Sequence, residues 1–235
     1  MQRLDKFISE NSPLSRSEIR LLARRGKITI NGAVERAFDT KIDPEKDEIS
    51  VGGDIIKKAG FVYIVINKPK GVISASNDKN ARTVVDLVPS EFRHLELFPV
   101  GRLDKDTTGL LIITNDGEFA HKVISPKNDV PKCYQAELDG DIDPSLIEKF
   151  AAGVTLNDGS VCRPAKLEIA GERVARLTIT EGKYHQVKRM FGVFDLGVNA
   201  LHRLSIGDLS LPKDLAEGES FLLKADEIIN KVLKS

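Results

Sequence analysis

The sequence predicts an α+β fold: a small α/β module at the head, then a larger body built on a mainly antiparallel sheet. Three observations carry this. Apolar runs rich in β-branched residues, such as "FVYIVIN" (61–67) and "GLLIIT" (109–114), recur between turn residues. Helical patterns are short and few, so the strands lack the regular crossover helices that a parallel sheet needs. Charge is also segregated along the chain. Residues 1–36 hold eight Lys and Arg against four acids, and residues 37–54 hold two against six.

Composition sets the outer bounds. The chain has 235 residues, 41% apolar and 30% charged, with zero formal net charge. That is enough apolar material for a sizeable core and far from a disordered composition. No apolar stretch approaches the ~18 residues of a membrane span. "MQRLDKFISEN" lacks the apolar centre of a signal peptide, so a cytoplasmic location is expected. Cys133 and Cys162 have no metal-ligand spacing and suit a reducing compartment. The zero net charge hides a basic head, and local potential is what a phosphate backbone feels.

The elements follow in order. Leu4, Phe7 and Ile8 mark a short amphipathic helix. Ser15 caps a second helix, with Glu18 completing a capping box and Gly26 ending it. Ile19, Leu22 and Ala23 face inward, while Arg16, Arg20 and Arg24 form an exposed stripe that Arg25 and Lys27 extend. "KITINGAV" is a strand entering a turn at Asn31-Gly32. "VGGDIIKKAG" (51–60) has the glycines and charges of a linker, which divides the chain into domains 1–59 and 60–235. Beyond it, "FVYIVINKPKG" is a central strand ending in a turn, and "GLLIIT" is a buried strand closed by "NDG". "KCYQAEL" alternates as a strand. "DPSLIEKFAAG" is a helix capped by Asp143, with Pro144 first and Gly153 last. "KLEIAGERVARLTIT" folds as two strands about a tight turn. "YHQVKRMFGVF" is a short helix with Val187, Phe191 and Phe194 inward, and "ALHRLSIGDLSL" returns to strand.

The chemistry concentrates in "GRLDKDTTGLLIITNDG" (101–117), where two carboxylates precede an apolar strand. Asp104, Asp106 and Thr108 resemble the nucleophile loop of haloacid-dehalogenase-type phosphatases. That chemistry needs a buried strand running straight into the first aspartate. Here Pro99, Gly101 and Arg102 precede Asp104, and the strand follows it.

A second resemblance covers nearly the whole chain. "NKPKG", "GRLDKDTTGLLIITNDG", "EGKYHQVKRMF" and "LHRLSIGDLSL", in that order, resemble the motifs of RsuA-type pseudouridine synthases. The head resembles the RNA-binding module first seen in ribosomal protein S4. The resemblance implies isomerisation of a uridine in 16S rRNA, of the kind made by pseudouridine 516 synthases. The N-glycosidic bond breaks, the uracil turns, and C5 rejoins C1′, without cofactor or metal. It implies that Asp104 is the catalytic carboxylate, by attack at C1′ or removal of a C2′ proton, and that Lys188 pairs with it. It implies that Tyr134 stacks on the uracil, beside a Cys133 where the family more often has Thr. Leu201 packs on the other face of the base. Arg102 contacts phosphate or fills the gap left in the stack. His185 and Arg189 join Arg16, Arg20, Arg24, Arg25 and Lys27 in contacting RNA. Asp106 bonds within the Thr107–Thr108 loop, and those threonines with Gly109 turn Asp104 toward the cleft. Small-subunit rRNA, free or in an assembling particle, is the implied partner of a monomer. A catalytically silent ribosome-associated RNA-binding protein is the alternative; the intact Asp104, Tyr134 and Lys188 set argues against it.

Overall fold

The computed structural model describes residues 1–58 and 60–234. The chain divides into two compact units, Met1–Phe61 with Val88–Leu97, and Val62–Leu87 with the chain from Phe98 onward.

In the first unit β1 (Gln2–Arg3) leads into α1 (Leu4–Asn11), and α2 (Arg16–Arg24) follows. Then come β2 (Ile28–Ile30), β3 (Ala33–Val34), β4 (Lys41–Ile42), β5 (Ile49–Val51) and β6 (Asp54–Ile55). The strands order as β3-β2-β5-β6, all antiparallel, and β1 pairs with β4. The capping box at α2 is formed: the Ser15 hydroxyl accepts from the Glu18 amide at 3.3 Å, and Glu18 accepts from the Ser15 amide at 2.8 Å. Asn31 and Gly32 both take positive φ, 51° and 80°, as the two-residue turn requires. Leu4, Phe7, Ile8, Ile19, Ala23, Ile28 and Ile42 form the core of the unit.

One expectation is overturned here. Residues 51–55 are not linker: Gly52-Gly53 turns the chain between β5 and β6. A glycine pair flanked by polar residues marks a flexible tether and a tight hairpin equally well.

The second unit begins with β7 (Tyr63–Lys68), β8 (Phe98–Pro99), β9 (Thr108–Thr114), α3 (Gly117–Ile124) and β10 (Lys132–Leu138). There follow α4 (Leu146–Ala152), β11 (Lys166–Gly171), β12 (Val174–Ile179) and α5 (Gln186–Gly192). The chain then forms β13 (Val198–Ile206), β14 (Leu209–Ser210), β15 (Ser220–Leu223) and α6 (Ala225–Leu233). The main sheet runs β11-β12-β10-β13-β9-β7-β15, with β14 on β13 and β8 on β9. Its pairs are antiparallel except β9 with β13, which run parallel where Thr108 faces His202 and Gly109 faces Arg203. The α+β class and the mainly antiparallel sheet are therefore as the sequence predicts.

Every residue of β7 is buried, yet β7 lies second from the edge rather than at the centre. Burial on both faces, not position in the sheet, makes its run Ile64–Ile66 uninterruptedly apolar. One face is covered by α3 and α6: Tyr63, Val65, Leu110 and Ile112 pack with Phe119, Val123, Ile228 and Val232. Each such aliphatic side chain contributes about 1.5–3 kcal/mol by leaving water. Asp116 ties this layer together, capping α3 through the Phe119 amide at 3.0 Å and accepting from the Tyr63 hydroxyl at 2.7 Å. Burial and that aspartate push the Tyr63 phenol well above its usual range. The helix expected over 143–153 starts later, at Leu146; Asp143 still accepts from the Ser145 amide at 2.8 Å.

The junction of β9 with β13 admits no side chain. Gly109 has φ of +104°, and a Cβ there would lie 2.4 Å from the Arg203 carbonyl oxygen and 2.5 Å from its nitrogen. Gly109→Ala should lower the unfolding free energy by at least about 2 kcal/mol, combining backbone strain with a clash against rigid backbone. Urea titration followed by circular dichroism measures the loss.

Candidate active site

The loop that carries Asp104 joins β8 to β9 and is fastened on both sides of the aspartate. Ahead of it, the Ser74 hydroxyl donates to the Leu103 carbonyl at 2.9 Å and accepts from the Leu103 amide at 3.0 Å. Behind it, the Gly71 amide donates to the Lys105 carbonyl at 2.8 Å. The Lys68 ammonium, wholly buried at the end of β7, donates to the carbonyls of Pro69, Lys105 and Thr107 at 3.1, 3.4 and 2.8 Å. The Thr107 amide closes the turn onto the Asp104 carbonyl at 3.1 Å. The Thr108 hydroxyl meets His202 Nδ1 at 2.7 Å, pinning the start of β9 to β13. Burial pulls the Lys68 ammonium down to about 8, opposed by the nearby charges of Asp106 and Asp104.

The carboxylate itself stands between two cationic or protonatable groups. Lys188 Nζ lies 3.5 Å from Asp104 Oδ2, and His185 Nε2 lies 3.4 Å from Asp104 Oδ1. Lys188 also donates to both oxygens of Asp106, at 2.9 and 2.8 Å. Asp106 thus does not bond the Thr107 and Thr108 side chains as expected; its carboxylate is turned to the ammonium. A strong charge-assisted bond outcompetes a neutral hydroxyl. That bond holds the Asp106 carboxyl below its usual value. Burial works against the Lys188 charge, but the hydrogen bond to Asp106 and the charges of both aspartates outweigh it and raise its affinity for the proton.

Asp104 and His185 line an open cleft together with Arg102, Leu103, Thr107, Tyr134, Val187 and Leu201, and Lys188 reaches that cleft through its contact with Asp104. Tyr134 and Leu201 come from the neighbouring strands β10 and β13. The Tyr134 hydroxyl accepts from Arg203 Nη1 at 3.2 Å, while Arg203 Nε donates to the Leu110 carbonyl at 2.7 Å. Arg203 is buried and sets the orientation of the tyrosine. On the opposite wall, buried Glu181 accepts from the Arg163 amide at 2.9 Å and from Gln186 Nε2 at 2.8 Å, bracing the entry to α5.

The structure therefore brings together Arg102, Asp104, Tyr134, His185, Lys188 and Leu201. Arg189 faces Asp158 in an ion pair at 2.5 Å. Arg16, Arg20, Arg24, Arg25 and Lys27 belong to the first unit, where all five are exposed and none forms an ion pair among the described residues. Arg20 lies over the Phe38 ring, 4.7 Å from its centre. Sequence reasoning missed Lys68, Ser74, Glu181 and Arg203. A buried lysine reads as a solvated one. Arg203 carried a usable signal, since it stands two residues beyond Leu201 on the same face of a strand.

Residues 62–192 match the family model described as RNA pseudouridylate synthase. The chain belongs to the RNA pseudouridylate synthase family. It is 42% identical over 230 residues to an uncharacterized RNA pseudouridine synthase, YtzG, of Bacillus subtilis, covering 96% of each chain. It is 37% identical over 231 residues to ribosomal small subunit pseudouridine synthase A of Escherichia coli, covering 98% of this chain and all of that one. A crystal structure of a pseudouridylate synthase superposes with a TM-score of 0.70 at 36% identity, over 99% of this chain and 100% of the other. A pseudouridine synthase is an isomerase: no group is lost or gained between uridine and product. Three of the motifs quoted from the sequence contribute residues to the cleft: Asp104, His185 and Leu201 belong to one each.

The low proton affinity of Lys68 makes a testable statement about stability. Its folded value, about 8, is below its ordinary 10.5, so the unfolded chain binds the extra proton between those limits. Stability from this group therefore rises with pH across that window. The unfolding free energy of wild type should climb relative to Lys68→Met between pH 8 and 10, by urea titration. The same variant should lower kcat more than KM, because the loop around Asp104 loses two fastenings.

Proposed function

We propose that this synthase converts one uridine of small-subunit ribosomal RNA to pseudouridine, with Asp104 as the group that drives cleavage of the N-glycosidic bond. The observation that carries the assignment is the Asp104 carboxylate, paired with Lys188 and facing a cleft walled by Tyr134 and Leu201. One carboxylate suffices for isomerisation. Attack at C1′ and removal of a C2′ proton both place the same oxygen beside the sugar. Hydrolysis would instead call for a second carboxyl group to activate water. Asp106, bound through both oxygens to Lys188, is not free for that role.

The target base has to leave its stack to reach this cleft, at a cost of a few kcal/mol. Stacking on Tyr134 recovers about 1–3 kcal/mol of it. Leu201 supplies an apolar second face, and Arg102 at the rim offers a cation to the sugar-phosphate backbone. The names of the relatives support small-subunit rRNA as substrate, and the uridine equivalent to 516 is the reading carried from the sequence. The first unit, with its S4-like order of elements and exposed arginines on α2, grips the RNA through phosphates. His185 lines the cleft, and Arg189, one turn along α5, contacts RNA beside it in this reading.

Asp104→Asn keeps the shape of the loop and removes the charge. It should leave RNA binding within about twofold and cut turnover below about one percent of wild type. Tritium release from small-subunit rRNA transcripts labelled at uridine C5 measures turnover, and filter binding measures affinity. Turnover above that level would overturn the assignment to Asp104. Sequencing for pseudouridine in the wild-type product identifies the modified position.

A further inference from the structure

Outside the groups already assigned, the feature that stands out is an aromatic ring left in solvent beside the reacting carboxylate. Tyr184 is 76% exposed, the most open of the aromatic side chains in the second unit. One face of its ring is covered: it stacks on the His185 imidazole, with centres 3.8 Å apart and planes 19° from parallel. His185 in turn reaches Asp104 at 3.4 Å. The outer face of Tyr184 has no partner, and its hydroxyl takes no hydrogen bond among the described residues.

The backbone under this ring is held firmly. Arg189 donates to the Tyr184 carbonyl at 3.4 Å and is itself anchored on Asp158 at 2.5 Å. The Lys183 amide donates to Gln186 Oε1 at 2.9 Å. His185 adopts a left-handed conformation, φ 48°, a region that histidine enters more readily than most side chains. That conformation lays the two rings flat against each other. A large apolar ring fixed in water, one face backed and the other open, is a platform for another flat group.

We infer that Tyr184 stacks on a nucleobase adjacent to the target uridine. This rests on the reaction proposed above. When one base turns into the cleft, its neighbours lose a stacking partner, and each lies only one backbone step away from Asp104. A neighbouring base laid on Tyr184 would extend the His185–Tyr184 stack by one layer. It would restore the lost stacking and clamp the strand at the rim. Such contacts depend on the π-face and tolerate any base.

The test uses the full chain. A short RNA spanning the uridine mapped in the wild-type product carries 2-aminopurine at each flanking position in turn. Wild type and Tyr184→Phe should quench the probe at one flank and share the same kcat/KM. Tyr184→Leu, which keeps apolar cover over His185, should lose the quench and about tenfold in kcat/KM, mostly through KM. An abasic site at that flank should remove the difference between wild type and the leucine variant. An active wild type that quenches neither flank would overturn the inference. So would a leucine variant with unchanged quench, or losses from the variant and the abasic site that simply add. A wild type that forms no pseudouridine in any small-subunit transcript would instead overturn the reaction, and this inference with it.

Discussion

The geometry of the cleft depends on one buried ammonium. Lys68 ends the strand β7 and has no access to solvent, so its charge must be met by the protein. It is met by three backbone carbonyls, two of which, at Lys105 and Thr107, each directly follow an aspartate in the loop before β9. The loop carbonyls turned inward are those of Lys105 and Thr107, so the chain is fixed directly after Asp104. That is how an irregular seven-residue stretch, Gly101 to Thr107, presents Asp104 to the cleft without a helix or strand of its own. Ser74 and the Gly71 amide reinforce the same connection from the neighbouring turn.

The second constraint is the parallel contact of β9 with β13. It brings the start of β9 against the strand that carries Leu201 and Arg203, and Gly109 makes the approach close enough. Through Arg203 the contact extends to Tyr134 on β10. The aspartate loop, the aromatic wall and the apolar wall are thereby set by one strand junction and one buried arginine. Loop chemistry supported on a rigid sheet is the usual way to hold functional groups to sub-ångström tolerance.

Much of this was legible in the sequence, and the exceptions have physical causes. Strands rich in Val and Ile were found because both faces of the sheet are buried there, as in β7 and β9. Helices with explicit caps, such as α2 with Ser15 and Glu18, were found for the same local reason. The helix α3 was not: its cap, Asp116, reads as part of the turn "NDG". The C-terminal helix α6 offers only Ile228 and Val232 as its buried stripe, too few to announce a helix. Asp104, Tyr134, Lys188 and Leu201 were named through motif resemblance, not periodicity; three of them line one cleft, and Lys188 meets it through Asp104. Of the residues that hold them, Arg203 is signalled by its place two beyond Leu201, whereas Lys68 and Ser74 acquire their roles only once distant segments meet.

The division of Lys188 between two carboxylates has a consequence for the proposed chemistry. In either route Asp104 loses its charge at the decisive step, by bonding to C1′ or by taking a proton. A lysine paired with Asp104 alone would then be left as an uncompensated cation in a partly dry cleft, which costs free energy and slows the step. Here Asp106 holds the ammonium throughout, through both its oxygens and more closely than Asp104 does. In the ground state Asp104 stands beside the cation at 3.5 Å, a separation that forgoes the tightest contact. The intermediate keeps the cation satisfied without it. Two aspartates around one lysine thus flatten the electrostatic change along the reaction. Only Asp104, set between fastened neighbours, is free to leave the pair and meet the sugar.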